Sequence, residues 1–197
     1  MIFAHAYLGV FIAYFLERNF KIKNNKDRFL LWIVSIISAV FPDLDMAFLF
    51  LTDISKSHRL FFTHTPIFYG IIGIITAIII LIKKPKPLNI YLTASFLLGA
   101  FIHIIFDAFV DAIYPFIPFN QYKLILGIFP IDKTLGFYGY VKSPYFATEL
   151  LIIISSLLLL TISYRKNKGQ LKWLLSLLAI ITLTAAVALI PFLSKFN

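Results

Sequence analysis

A stripe of reactive side chains interrupts one of the most apolar stretches of the sequence. Within residues 99–111, His103, Asp107 and Asp111 follow Gly99 at intervals of four. In a helix, residues four apart lie on the same face, so these side chains form one polar stripe. Ionisable groups are costly to bury in an apolar environment, and a shared metal ion would offset that cost. The alternative is a His–Asp hydrogen bond that joins two helices.

The composition indicates the surroundings of this stripe. The chain has 197 residues, of which 60% are hydrophobic and only 14% are charged, and its mean hydropathy is +0.91. A soluble domain cannot cover that much apolar surface, so we predict a polytopic membrane protein. The predicted fold is an all-α membrane bundle of about six apolar helices in a single domain, residues 1–197. The two N-terminal segments, residues 2–17 and 29–41, are short for a span. The four clear spans are residues 66–81, 88–113, 145–164 and 173–190.

Two prolines mark predicted helix ends. Pro42 prevents the second segment from continuing, since proline lacks the backbone N–H that a helix interior requires. Thr65 followed by Pro66 is typical of an N-cap residue and the first helical position.

The basic residues predict the orientation of the chain. They concentrate in the short connections 18–28, 83–86 and 165–172, and the whole chain has a net charge of +9. Basic loops favour the cytoplasmic side, whereas this pattern does not suggest nucleic-acid binding. We therefore expect an integral cell membrane protein with both termini outside. This topology brings all four histidines and most aspartates to the extracytoplasmic face.

The converging side chains have the chemistry of metal ligands. The chain has no cysteine, so imidazole and carboxylate must supply every ligand, which suits zinc but also manganese or iron. The number of candidate ligands allows one or two ions, and a pair of ions can activate water and clamp a phosphoester. The predicted metal ligands are His5, Asp43, Asp45, His58, His64, His103 and Asp107.

Three side chains are candidates for catalysis. Arg59 has a planar guanidinium that pairs with two phosphate oxygens, although it could also bind a lipid headgroup or a loop carboxylate. Asp45 or Asp111, if not bound to metal, is the candidate general base.

The same residues carry a family resemblance over roughly residues 1–120. The chain resembles the YdjM-like family of membrane-bound, predicted metal-dependent hydrolases, with Thr65 where serine is common. The first two similar features are an N-terminal histidine, His5, and a Pro-Asp-x-Asp motif formed by Pro42, Asp43 and Asp45. The third is the His-Arg pair His58 and Arg59, followed by Thr63, His64 and Thr65. The fourth is a His-x-x-x-Asp helix with His103 and Asp107, followed by the turn of Tyr114, Pro115 and Phe116.

A more remote resemblance is to the zinc-dependent phospholipase C and S1/P1 nuclease group, although no histidine follows His103 to complete a three-metal site. These resemblances imply a membrane-bound metal-dependent hydrolase of phosphoesters or phospholipids, with membrane lipid as its partner. The alternative is a non-catalytic membrane protein such as a metal or ion transporter. A transporter should have its ionisable groups near the bilayer midplane. Here they lie near the segment ends, which favours the enzyme.

Overall fold

The computed structural model describes residues 4–45, 58–128 and 136–193, and these form a bundle of helices. Within that part of the chain, β-structure is limited to one bridge between Ile113 and Leu124. The α-helices of the described residues are α1 (His5–Phe20), α2 (Asn25–Ser38), α3 (Pro66–Lys83), α4 (Pro87–Ala108), α5 (Gly136–Lys142), α6 (Pro144–Tyr164) and α7 (Lys168–Leu193). Short 3₁₀ turns lie between α2 and α3, at Phe41–Asp45, His58–Leu60 and Phe62–His64.

Four of these helices are long and apolar enough to cross a membrane, which confirms the predicted all-α membrane bundle. They are α3, α4, α6 and residues 168–187 of α7. The two N-terminal helices, α1 and α2, have 16 and 14 residues and are shorter than the roughly 20 residues that a full span requires. They match the two shorter segments predicted at residues 2–17 and 29–41.

The two kinds of helix differ in what surrounds them. Helix α3 has an almost continuous apolar surface, and Ile74 and Leu81 on it are 65% and 77% exposed. Such a surface is stable only against lipid. By contrast, α2 lies in the interior between α1 and α4, where Trp32 and Ile36 are fully buried. The short helices therefore form the centre of the bundle.

Two glycines allow α2 to contact its neighbours backbone to backbone. A Cβ atom on Gly9 of α1 would lie 2.4 Å from the carbonyl oxygen of Ser35. A Cβ atom on Gly99 of α4 would lie 1.9 Å from the hydroxyl oxygen of Ser38. The hydroxyl of Ser38 also donates to the carbonyl of Ser95, one turn before Gly99. This close approach fixes the position of α4 along its own axis relative to the end of α2.

Both predicted proline positions are confirmed. Pro42 lies in the 3₁₀ turn after the end of α2, and Pro66 is at the start of α3. The cap differs from the prediction, because the Thr65 hydroxyl donates backwards to the carbonyl of Phe62 and not forwards into α3.

Helix α4 ends at Ala108, five residues before the predicted end at residue 113. Its last turn tightens, with the N–H groups of Phe109 and Val110 bonding three residues back. The chain then pairs Ile113 with Leu124. Asp111 is consequently outside the helix, and its place on the predicted polar stripe was wrong.

Candidate metal centre

Four separate segments bring imidazole and carboxylate groups together at one end of the bundle. His5 is the first residue of α1, and the turn after α2 supplies Asp43 and Asp45. His64 immediately precedes α3, and the last two turns of α4 supply the remaining pair. The predicted ligands that meet here are His5, Asp43, Asp45, His64, His103 and Asp107.

Each of the three imidazoles has its Nδ1 atom against an acceptor. Nδ1 of His5 is 3.2 Å from Oδ2 of Asp43, and Nδ1 of His64 is 2.7 Å from Oδ2 of Asp45. Nδ1 of His103 is 2.8 Å from the carbonyl oxygen of Ala39, at the end of α2. These contacts assign a proton to each Nδ1, which leaves Nε2 as the ligand atom. Metal-binding histidines are held in this way.

The Nε2 atoms point toward carboxylates at distances longer than hydrogen bonds. Nε2 of His64 and Nε2 of His103 are 3.5 and 3.4 Å from Oδ1 of Asp43. Nε2 of His5 is 3.5 Å from Oδ1 of Asp107. Among the described residues, Nε2 of His5 and Nε2 of His103 have no hydrogen-bond partner although both are buried.

These spacings fit a metal ion. Ligands about 2.1 Å from a tetrahedral zinc lie about 3.4 Å from one another. Among the described residues, two groups of three ligand atoms are compact enough, namely His5, His103 and Asp107, and Asp43, His64 and His103. Both groups need Nε2 of His103, which binds a single ion. His103 therefore completes one group at a time, and a second ion would depend on the carboxylates.

Electrostatics in the turn regions also favour a cation. Burial alone would raise the pKa of Asp43, but the imidazoles of His103, His5 and His64 outweigh it and hold that pKa well below its usual range. Burial alone would lower the pKa of His64, but Asp43 and Asp45 outweigh it and raise that pKa to about 9. The carboxylates thus stay ionised and stabilise a positive charge among them, which a proton or a divalent cation can supply.

Arg59 lies at the edge of this cluster, as its predicted role requires. Its Nη2 is 3.6 Å from Oδ2 of Asp107, and its Nη1 donates to the carbonyl of Ala112 and lies 3.8 Å from Oδ2 of Asp111. The Asp111 side chain is 39% exposed and that of Asp43 is 25% exposed, whereas His64 and His103 are fully buried. The cluster therefore opens to the surroundings beside Arg59.

Asp45 occupies a different position from the other predicted ligands. Its Oδ2 accepts hydrogen bonds from Nδ1 of His64 and from the hydroxyl of Thr63, at 2.7 and 2.5 Å. It belongs to neither group of three and orients the imidazole of His64. The His58 side chain lies outside the described residues, and its predicted role as a ligand stays a prediction.

One neighbouring cluster escaped the sequence analysis. Glu149, fully buried in α6, accepts a hydrogen bond from the hydroxyl of Tyr140 in α5. Tyr145 lies beside them, with its ring centre 6.3 Å from that of Tyr140. A glutamate inside an apolar span was a signal that could have been followed, since such a residue is rarely buried without a partner.

Comparison with known families supports the resemblance found in the sequence. A family model described as YdjM inner membrane protein matches residues 1–192. The chain belongs to the YdjM inner membrane protein family. With the four apolar helices, this membership makes it an integral membrane protein. No curated protein and no solved structure matches the chain, so the similarity to the phospholipase C and nuclease group stays a prediction.

Proposed function

We propose that this YdjM family member is a membrane-bound, metal-dependent hydrolase of phosphoesters. The observation that carries the proposal is the arrangement of three buried imidazoles, each held at Nδ1, around Asp43 and Asp107. A purely structural His–Asp pair would place hydrogen-bonded atoms about 2.8 Å apart. The 3.4–3.8 Å gaps at Nε2 of His64 and His103 instead leave room for an ion.

The residues present suit zinc, with manganese or iron as alternatives, at one or two sites. A bound divalent cation would polarise a phosphoryl oxygen and lower the pKa of an attacking water. In this proposal His5, His103 and Asp107 hold one ion, or Asp43 and His64 hold it together with His103. Asp45 positions His64 through Nδ1.

Two residues at the open edge act on the substrate. Arg59 neutralises the phosphate, because its guanidinium already faces the carboxylate of Asp107 and presents a planar pair of donors. Asp111, partly exposed and outside both ligand groups, serves as the general base. The substrate is a phospholipid or another phosphoester at the membrane surface.

The position of the centre supports hydrolysis over transport. The cluster lies at the first residue of α1 and in the last two turns of α4, hence near one end of the bundle. A transporter requires a site near the midplane that is reached from both sides. The basic connections 21–26 and 83–86 lie at the opposite helix ends, which by the positive-inside rule supports an extracytoplasmic position for the centre.

The test is phosphoester hydrolysis by purified protein in detergent. Wild type, Asp43→Asn and the control Asp27→Asn would be loaded with zinc or manganese and given phospholipids and a chromogenic phosphodiester. Asp27 lies in the first turn of α2, at the other end of the bundle. We expect turnover in wild type and control and its loss in Asp43→Asn. Metal-loaded wild type that hydrolyses none of these substrates would overturn the proposal.

A further inference from the structure

A second polar cluster lies at the far end of α1. The carboxylate of Glu17 forms an ion pair with Nε of Arg28 at 2.8 Å and accepts a hydrogen bond from Nε1 of Trp32 at 2.6 Å. Glu17 is twelve residues after His5 on the same helix, which separates the two clusters by about 18 Å. This cluster therefore has no part in the candidate metal centre.

Three contacts hold the Arg28 side chain in place: the ion pair with Glu17 and contacts with Ser163 and Tyr164. Its Nη2 donates to the carbonyl of Ser163 at 2.5 Å, and its guanidinium lies 4.4 Å from the centre of the Tyr164 ring. The charge of Arg28 is balanced by Glu17. The side chain thus ties α1, α2 and α6 together and forms a rigid wall.

A cavity of about 330 Å³ opens against this wall. Arg18 and Arg165 are exposed at its rim, and among the described residues neither forms an ion pair with a carboxylate. Three arginines against one glutamate leave the cavity with an excess positive charge. Its polar lining consists of Tyr14, Glu17, Arg18, Arg28, Ser163 and Arg165.

The chemistry of this cavity suits a phosphate group. Guanidinium groups pair with phosphate oxygens two at a time, and two unpaired guanidiniums can face one anion from opposite sides. The cavity lies where α6 ends at Tyr164, which is the end of a helix long enough to cross a membrane and hence where lipid headgroups are expected. Basic pockets between helices at this level bind anionic headgroups.

We propose that this cavity binds the phosphate group of an anionic phospholipid or of a soluble phosphate ester. The ligand is held and not hydrolysed, because none of the predicted metal ligands lines the cavity. Arg18 and Arg165 supply the two charges that face the phosphate. Arg28 supplies the fixed wall.

Lipid binding to delipidated protein, followed by native mass spectrometry, tests this proposal. The test variant is Arg18→Gln with Arg165→Gln, which leaves the Glu17–Arg28 pair intact. The matched control is Lys83→Gln with Lys86→Gln, which removes two exposed charges from the same end of the bundle. Phosphatidylglycerol and phosphatidylcholine form the lipid arm, and inorganic phosphate followed by calorimetry forms the soluble arm.

We expect wild type to prefer phosphatidylglycerol, with binding on the order of tenfold weaker in the arginine variant and unchanged in the lysine control. Binding of inorganic phosphate that is lost in the same variant would show that the phosphate group alone is recognised; lipid binding alone would identify the headgroup. An equal loss in the lysine control, or wild type that prefers neither phosphatidylglycerol nor phosphate, would overturn the proposal. Circular dichroism of both variants confirms that the helices persist.

Discussion

The two ends of α1 bury charged groups in different ways. At its far end, Glu17 and Arg28 meet directly, with their atoms 2.8 Å apart, and the carboxylate also accepts a bond from Trp32. At its start, Nε2 of His5 is 3.5 Å from Oδ1 of Asp107. Within the described residues this Nε2 atom has no hydrogen-bond partner. At the far end the opposite charges are in direct contact, whereas at the start Nε2 of His5 and the carboxylate of Asp107 are not.

This difference separates a structural cluster from a ligand site. Opposite charges that can reach each other do so, because a buried charge without a close partner is costly. The ligand atoms around His103 are instead held apart, since Nδ1 of that imidazole is fixed by the carbonyl of Ala39. Groups held at ligand spacing by such contacts are what a metal centre requires.

The largest expected effect on catalysis follows from changing Arg59. This variant tests whether Arg59, at the open edge of the cluster, acts on the substrate or only stabilises the fold. Arg59→Gln should lower kcat for phosphoester hydrolysis by about a hundredfold or more, because a charged donor to the developing negative charge is lost. Bound metal should be unchanged, since Arg59 belongs to neither ligand group. Arg28→Gln is the control and should retain turnover. Equal kcat in the two variants would remove Arg59 from the mechanism.

The helix pattern made much of this centre predictable from the sequence. Apolar runs alternate direction across the membrane, so His5, Asp43, His64 and His103 had to reach the same end once the segments were placed. Pro42 and Pro66 fixed where two of those segments stop and start.

What the sequence could not supply depends on packing. The role of Asp45 follows from a 2.7 Å contact with His64 that no spacing encodes. The departure of Asp111 from α4 follows from the pairing of Ile113 with Leu124, eleven residues away in the chain. The burial of Glu149 against Tyr140 depends on how α5 turns back onto α6. Each of these is a contact between segments and not a property of one segment.

The ion-paired cluster at the far end of α1 should affect stability and not metal binding. Arg28→Gln removes an ion pair, a bond to Ser163 and the contact with Tyr164, and should lower the free energy of unfolding by about 1–3 kcal/mol. Lys26→Gln, at an exposed position two residues earlier on α2, should have little effect. Thermal unfolding in detergent measures both. Loss of bound metal in Arg28→Gln would contradict the separation of the two clusters.

A further effect on stability should follow from moving α4 away from α2. Gly99→Ala places a Cβ atom against Ser38 and should cost about 1–3 kcal/mol of stability. It should also weaken metal binding, because His103 lies one turn further along α4. Gly70→Ala is the control, since a Cβ atom there meets nothing within 4 Å. If both variants unfold at the same temperature, the close approach of α2 and α4 is not what positions His103.

The most direct test of the metal centre is metal content, determined by elemental mass spectrometry on protein purified in detergent. Wild type, His103→Ala and Asp107→Ala would be compared with Asp27→Asn after exposure to zinc, manganese and iron. We predict about one or two bound equivalents in wild type and control. His103→Ala should bind none while circular dichroism shows intact helices, because both ligand groups need His103, and loss of the ion in Asp107→Ala would assign it to the group of His5, His103 and Asp107. Folded wild type without bound metal after reloading would contradict the account and leave His103 and Asp107 as a structural pair.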